Sequence, residues 1–347
     1  MGNMKEFLAI LMAFVILLNI PIVNATPLND EVTKNHPVHA PKAHSLEKHQ
    51  VNYTKVDTAY GQINVPNETY LKMGKEKIAE KYSEFLKLQE EFKKMDKKLG
   101  INRSDNIENF SLTDPLPARM QSQNLLLSDS FTLERVYFDR GSSSWQPMLL
   151  YGRLNPTLLE NPDGGRYFNS YQEREIYLNN NMDCIEIISD QRYNGETVVW
   201  VAIYDNNFNQ PVSQSVFDLS IVNVVNPIEY DVILDSEDQS YDIWLVDTVS
   251  GSTYFDSYPD TDNFSSFITY YDGSTELHDY SDYVHPYRIR TNFVDYYTKV
   301  NGYIVQPYNI FNNINVGTDS PYVYAYGYGA NGQTYSYQAI ENPDPWS

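Results

Sequence analysis

Along most of the chain after residue 131, hydrophobic and polar residues follow the pattern of β-strands. The run from Val198 to Tyr204 is almost continuously apolar and rich in β-branched and aromatic residues, which is typical of a strand covered on both faces. The run from Ser215 to Val225 alternates more clearly. Turn residues separate further strand patterns in 131–138, 175–178, 184–188, 230–234, 241–246 and 322–337. Since no helical pattern intervenes, we expect a mainly β fold, an antiparallel β-sandwich.

The number of sandwiches is open at this point. Residues 131–347 fit one large sandwich or two tandem ones, and Asn226-Pro227 is a turn signal near their middle. We favour two domains, 131–226 and 227–347. The alternative is that residues 227–347 form the second half of a single sandwich.

A helical period marks residues 67–100, ahead of the strands. Asn67 is a suitable residue at the start of a helix, and Gly100 is suited to end it in the left-handed conformation. Apolar residues recur every seven positions, which predicts an amphipathic helix with a short heptad seam: Leu71, Ile78, Phe85, Phe92 and Leu99. We favour a helix that lies on the β domain. Self-association through helix 67–100 is the alternative.

Residues 1–25 have the pattern of a secretory signal peptide. A short basic start precedes an apolar run from Phe7 to Ile20, and small Ala25 follows, which predicts cleavage after Ala25. This run is shorter than the ~20 residues of a spanning helix. We therefore expect a secreted or cell-surface protein with no membrane span after signal removal. Residues 26–66 are polar and include several prolines but few large aliphatic residues. This composition predicts a disordered linker. Residues 101–130 are assigned as a connector.

The charge of the chain is strongly negative and unevenly distributed. The formal net charge is −21, and Lys299 is the only lysine after residue 100. Such a surface repels phosphate backbones, so we expect no nucleic-acid partner. It suits divalent cations or a cationic partner, although solubility alone also explains it.

Two sets of residues are candidate ligand sites. Alternating tyrosines of the last predicted hairpin share one face, where they would stack on a sugar ring or a protein surface, or form part of a core: Tyr322, Tyr324, Tyr326 and Tyr328. Carboxylates of a predicted loop offer oxygen ligands for Ca²⁺, or form a solvated acidic loop: Asp256, Asp260 and Asp262. No other cofactor is indicated.

Motifs of known enzymes are sparse. The sequence contains neither Gly-x-Ser-x-Gly nor His-Glu-x-x-His. A hydrolase that uses a pair of carboxylates is left as an alternative. The single cysteine, Cys184, is in a strand pattern, where we expect a small buried apolar residue. The run Trp200-Val-Ala-Ile-Tyr-Asp205 resembles the central strand of the glutamic endopeptidases, secreted β-sandwich enzymes that work with a Gln and a Glu on facing strands. The resemblance covers this strand only and assigns no catalytic residue.

The sequence therefore predicts a secreted or cell-surface acidic β-sandwich protein. We expect it to act by binding or structural contact with a glycan, Ca²⁺ or a protein at the cell surface. The alternative is a secreted hydrolase of glycans or peptides that uses carboxylate chemistry.

Overall fold

Two β-sheets and one long helix make up the part of the chain that the structure describes. The structure is a computed structural model, and it describes residues 52–101, 103, 131–140, 144–155, 168–179, 183–191, 197–204, 213–218, 227–261, 263–279, 287–318, 329–330 and 333–340. The predicted signal peptide, most of the predicted connector and the tyrosines of 322–328 lie outside the described residues.

The described elements follow one another in this order: β1 (Tyr53–Thr58), β2 (Gly61–Pro66), α1 (Asn67–Leu99), β3 (Phe131–Asp139), β4 (Pro147–Asn155), β5 (Phe168–Leu178), β6 (Cys184–Gln191), β7 (Thr197–Tyr204), β8 (Ser213–Asp218), β9 (Ile228–Asp235), β10 (Ser240–Asp247), β11 (Thr253–Pro259), β12 (Ile268–Asp279), β13 (Tyr287–Val300), β14 (Tyr303–Val305), a short 3₁₀ helix (Pro307–Asn309), β15 (Asn312–Thr318), β16 (Gly329–Ala330) and β17 (Gln333–Ile340).

The described strands form a sheet of ten and a sheet of seven. The first has the order β1-β2-β11-β10-β9-β4-β13-β17-β16, with β14 also paired to β13, and the second has the order β15-β3-β12-β5-β6-β7-β8. Apolar side chains of both sheets, among them Val232 and Ile243 from the larger and Ile185 and Val201 from the smaller, pack together as one buried cluster. The predicted mainly β sandwich with an amphipathic helix is thus confirmed.

Strand pairing joins the two halves of the sequence within each sheet. Strand β4 is hydrogen bonded to β9 and to β13, and β3 is hydrogen bonded to β12. Each of these pairs links a strand before Asn226-Pro227 to one after it. Of the two arrangements compatible with the sequence, the strand pairing corresponds to one large sandwich, and not to the two tandem domains that we favoured.

Helix α1 packs on the ten-stranded sheet. Gly100 follows it in the left-handed conformation, with φ of 68°, and Gly74 interrupts it with φ of 75° and ψ of 164°. The seam residues Phe85 and Phe92 are buried: the Phe85 ring stacks on Trp244 at 4.5 Å between centroids, and the Phe92 ring stacks on Tyr151 at the same distance. The sheet therefore occupies the seam that self-association would need.

A buried lysine anchors the middle of α1. The Lys81 side chain is 4% exposed, and its Nζ lies 2.7 Å from Asp238 Oδ2 and 2.8 Å from Asp242 Oδ2, with Asp235 as a third partner. Burial alone would lower the pKa of Lys81, but these carboxylates outweigh it and raise the pKa above its ordinary value. The helix is thus held by charge as well as by apolar packing.

A second polar cluster anchors the end of the helix. Asp96 accepts hydrogen bonds from Arg103 Nε at 2.6 Å and from the Tyr297 hydroxyl at 2.7 Å. Arg103 also contacts the Tyr151 hydroxyl, which itself donates to Glu229 at 2.9 Å. The start of the predicted connector is therefore tied to the sheet.

The segment 26–66, which we assigned to a disordered linker, contains a β-hairpin. Strands β1 and β2 pair with each other, and β2 continues the large sheet by pairing in parallel with β11. Val56, Ile63 and Val65 are buried in a cluster with Phe255 and residues of α1. These few aliphatic side chains suffice because the helix covers them, and that contact is not apparent from the polar composition.

Within the described residues, no helix is both long and apolar enough to cross a lipid bilayer.

Candidate functional site

The described side chains of β5, β6 and β7 in the seven-stranded sheet are buried on both faces. One face packs against the ten-stranded sheet through Ile176, Ile185 and Val201. Because side chains alternate along a strand, Glu175 and Glu186 point to the opposite side, which we call the outer face. The outer face is also buried, and this confirms the prediction that the strand around Trp200 is covered on both faces.

Three carboxyl side chains lie side by side on the outer face. Asp272 of β12 pairs in register with Glu175 of β5, and Glu175 pairs with Glu186 of β6. Directly opposite residues on antiparallel strands have Cβ atoms about 4.5–5.5 Å apart. The exposed fractions are 0% for Asp272 and Glu175 and 1% for Glu186. We call Asp272, Glu175 and Glu186 the carboxyl row.

A fourth carboxyl and a tryptophan flank the carboxyl row. Glu173 is two residues before Glu175 and is 0% exposed. It pairs in register with Ile188, which pairs in turn with Trp200. The Trp200 ring is buried, and its Nε1 has no hydrogen-bond partner among the described residues. A buried indole N–H without a partner is a donor that a ligand would satisfy.

Tyrosines surround the other end of the carboxyl row. The Tyr177 hydroxyl donates to Glu175 Oε2 at 2.5 Å, and its ring stacks on Tyr270 at 4.1 Å between centroids. Tyr204 is hydrogen bonded to Glu186. Burial, followed by the charges of nearby carboxylates, raises the pKa of both Tyr204 and Tyr270. These phenols therefore keep their protons and act as donors.

The single cysteine belongs to the same cluster. Cys184 packs with Tyr177, Ala202, Tyr204 and Tyr270 and is 1% exposed. Burial, with the Glu186 carboxylate as the next contribution, raises the pKa of the thiol well above its usual value. Cys184 is thus a protonated, buried side chain, as expected, and not a nucleophilic thiolate.

The carboxyl row favours proton sharing. Like charges at this spacing cannot all ionise in a buried site, so at least one carboxyl retains its proton beside an ionised neighbour. The Tyr177 hydroxyl donates to Glu175, so this member of the row accepts a hydrogen bond from a phenol. The row therefore combines a proton donor with a proton acceptor, which is the pairing that general acid–base catalysis needs.

The predicted Ca²⁺ loop has a different environment from the one we expected. Asp256 belongs to β11 and accepts hydrogen bonds from Thr69 Oγ1 at 2.5 Å and from the Ser257 amide. Asp260 is the residue after that strand and is bonded to the Tyr241 hydroxyl at 3.2 Å. The two carboxylates thus have separate partners, and Asp262 lies outside the described residues. Nowhere in the described ranges do three or more His, Cys, Asp or Glu side chains form a group that could hold a metal ion.

The four alternating tyrosines, Tyr322 to Tyr328, all lie outside the described residues. The glycan or protein contact expected there stays a prediction. The two strands that follow, β16 and β17, are described, and they pair antiparallel through Gly329 with Thr334 and Ala330 with Gln333.

The carboxyl row was missed by sequence reasoning, although one signal was present. Glu173 and Glu175 flank Arg174 within a strand pattern, and Glu186 interrupts an isoleucine-rich run. Charged residues inside apolar strands are unusual, because burial of a charge is costly unless it serves a purpose. What the sequence does not reveal is the strand register that brings Asp272 next to them.

Comparisons with known proteins yield similarities of fold only. No protein-family model matches the chain, and no curated protein matches its sequence. A solved structure of scytalido-glutamic peptidase with a transition-state analogue is 12% identical, with a TM-score of 0.43, and covers 60% of this chain and 100% of its own. A Bacillus licheniformis β-glucanase is 13% identical, with a TM-score of 0.30, over 47% of this chain and 77% of its own. Arcelin-5, a lectin-like defence protein from Phaseolus vulgaris, is 9% identical, with a TM-score of 0.21, over 44% of this chain and 73% of its own.

These neighbours include two hydrolases and a lectin-like protein, so they do not separate hydrolysis from binding. Fold and site together define a β-sandwich with a buried carboxyl face. The strand that resembles the glutamic endopeptidases is β7, whose Ala202 pairs in register with Glu186 on one side and with Gln214 on the other.

Proposed function

We propose that the chain is a hydrolase of glycans or peptides that uses the carboxyl row for general acid–base chemistry. The observation that carries the proposal is the register of Asp272, Glu175 and Glu186 at adjacent positions on one buried face. Carboxyls serve this chemistry when their environments separate them into an acid and a base.

The chemistry assigns different roles within the row. Glu175, which accepts a hydrogen bond from the Tyr177 hydroxyl, is assigned as the base that activates a water molecule. Asp272 or Glu186, each next to Glu175, suits the protonated acid that transfers a proton to the leaving group. Glycosides and peptides both need these two transfers, one to the leaving oxygen and the other to the leaving nitrogen.

Trp200 adds a group that recognises the substrate. Its Nε1–H, which has no partner among the described residues, suits a hydroxyl or carbonyl oxygen, which glycans and peptides both carry. Because the carboxyl row is buried, a polymer reaches it only after the outer face becomes accessible. The assay must therefore include conditions that open this face.

The test is hydrolysis by the purified full-length chain and its variants. Wild type, Glu186→Gln, Asp272→Asn and the control Glu84→Gln are incubated with an unfolded polypeptide and with a β-linked glucan at acid and neutral pH, with and without acid preincubation. Glu84 lies on the exposed side of α1, so its variant should retain wild-type activity. General acid–base groups contribute about 10²–10⁴-fold, and each row variant should lose activity by at least that lower factor.

Two results would overturn the proposal. One is a wild-type chain that cleaves neither polymer under any of these conditions. The other is a pair of row variants, folded as judged by circular dichroism, that cleave as fast as wild type. Glucan binding without cleavage would instead favour the binding function expected from the sequence.

A further inference from the structure

A charged pair lies between the sheets, directly behind the carboxyl row. Arg174 is placed on β5 between Glu173 and Glu175, and its side chain is on the opposite face of the sheet from theirs. It is 0% exposed, and its Nη2 lies 2.8 Å from Oδ1 of Asp295 on β13. The cation thus belongs to β5, the middle of the three strands that carry the row, and its partner belongs to the other sheet.

Neighbouring residues hold this pair in a defined geometry. The Tyr230 and Tyr271 hydroxyls donate to Asp295 at 3.1 and 3.3 Å, and the Arg174 guanidinium lies 5.1 Å from the Tyr271 ring centroid. Gly152 pairs in register with Asp295, and a Cβ at Gly152 would lie 2.3 Å from the Tyr230 hydroxyl. The absence of a side chain there allows Tyr230 to reach the carboxylate.

Stability alone is a weak reason to keep such a pair. Well-packed apolar residues can often replace a buried ion pair without loss of stability, because desolvation offsets most of the attraction. The orientation of the Arg174–Asp295 pair relative to the carboxyl row suggests another reason to keep it. Since facing sheets are about 10 Å apart, Asp295 is farther from the outer face than Arg174, and the row therefore lies nearest the positive end of the pair.

Other titratable groups around the row differ from Arg174. Among the side chains that the structure describes, those beside the row on the outer face include the Glu173 carboxyl, the Cys184 thiol and the phenols of Tyr177, Tyr204 and Tyr270. None of these groups is a cation. The backbone of Arg135 on β3 pairs in register with Ser274, which pairs with Glu173, so Arg135 is included as a control position.

We propose that Arg174 is a positioning residue that sets the protonation of the carboxyl row from behind the sheet. Its charge stabilises an ionised carboxyl in the row, so that one member acts as base while another keeps its proton. This inference rests on the proposed function for its catalytic meaning. The electrostatic effect itself can be measured whether or not the chain hydrolyses anything.

The test replaces the pair by neutral side chains of similar shape. Arg174→Gln with Asp295→Asn removes one positive and one negative charge, so the net charge is unchanged, and the amide oxygen that replaces the Asp295 carboxylate would still accept from the two tyrosines. Carboxyl titrations are followed by ¹³C NMR in the full-length chain labelled at Asp and Glu. We expect the lowest titration midpoint of the row to rise by on the order of one pH unit. The acid limb of the activity profile should move in the same direction.

Single variants test the direction in which the titration midpoint of the row moves. Asp295→Asn alone leaves the Arg174 charge without its partner, so the row midpoint should fall instead of rise. Arg174→Lys should keep it near the wild-type value, and Arg135→Gln should not reproduce the shift of the double variant. These variants also decide the matter if the double variant does not fold.

The outcomes separate the two proposals. Midpoints that move with opposite signs support the role of Arg174 even if wild type proves inactive, in which case the hydrolase proposal alone fails. An active enzyme whose row midpoints are the same in wild type, in the double variant and in Asp295→Asn would overturn the inference and leave the hydrolase proposal intact.

Discussion

Truncation of the two seam phenylalanines tests whether helix α1 is part of the sandwich core. Phe92 is 0% exposed, and its ring is parallel to Tyr151 within 1° and also stacks on Tyr297 at 5.2 Å. Phe85 is 4% exposed and stacks on Trp244 with an interplanar angle of 12°. Replacing a buried Phe by Ala costs about 3–5 kcal/mol, so each single variant should lose that much unfolding free energy.

The double variant should lose nearly the sum. The two residues are two helical turns apart, roughly 10 Å along the axis, and they belong to separate buried clusters. Costs at such distances usually add, which predicts a loss of about 6–10 kcal/mol, against a typical total stability of about 5–15 kcal/mol. Phe85→Ala with Phe92→Ala should therefore release the helix or unfold the chain.

Urea unfolding of the full-length variants measures this loss. Tryptophan fluorescence reports on the sheet under the helix through Trp244, and far-UV circular dichroism reports on the helix itself. Leu71→Ala is the matched control, because Leu71 has the same heptad position but is 81% exposed. It should stay within about 0.5 kcal/mol of wild type.

One pattern of results would refute this reasoning. If both Phe variants unfolded like wild type, the seam would not be packed on the sheet. If wild type were then a dimer in sedimentation velocity and the variants were monomers, the results would support self-association through residues 67–100.

Three further predictions concern charged groups. Lys81→Met should cost about 3–5 kcal/mol in urea unfolding because it removes the cation that Asp235 and Asp242 share and leaves Asp238 with Lys77 alone. Lys93→Met, which removes an exposed pair, should cost less than about 1 kcal/mol. Burial, then the Glu229 charge, raises the pKa of Asp231, so the folded state binds this proton more tightly than the unfolded state does. The stability that Asp231 contributes should therefore fall as pH rises from its unfolded to its folded pKa. Asp231→Asn should flatten this part of the pH–stability curve, and an unchanged curve would contradict the assignment. Excess Ca²⁺ and EDTA should give the same melting temperature, because the carboxylates of Asp256 and Asp260 already have separate hydrogen-bond partners, and a higher melting temperature in Ca²⁺ would instead support the loop site predicted from the sequence.

Local features of the fold were predictable from the sequence because local signals encode them. The heptad positions and Gly100 predicted helix 67–100, and the structure has Asn67–Leu99 with a left-handed Gly100. The apolar run at Val198 predicted a strand covered on both faces, and β7 is Thr197–Tyr204. Periodicity and caps depend on neighbours in the chain, so a single sequence contains them.

Long-range features were not predictable in the same way. The hairpin β1–β2 is short and polar in composition, and it is stabilised by a helix and a strand that come later in the chain. The carboxyl row depends on the pairing of β12 with β5, two strands that are far apart in sequence. Register of this kind is determined by packing across the whole sheet, and one sequence without its partners does not reveal it.

The central position of β4 has a consequence for how the protein folds. This strand is synthesised early, yet both of its neighbours, β9 and β13, come much later in the chain. Contacts so distant in sequence carry a high loop-closure entropy and slow the folding of β proteins. A growing chain therefore holds β4 with both edges unpaired until β9 has been made and with one edge unpaired until β13 has been made, and during this interval it is exposed to aggregation. The large sheet closes late and as a unit, so synthesis of this protein depends on protection of an early apolar strand until its last neighbour arrives.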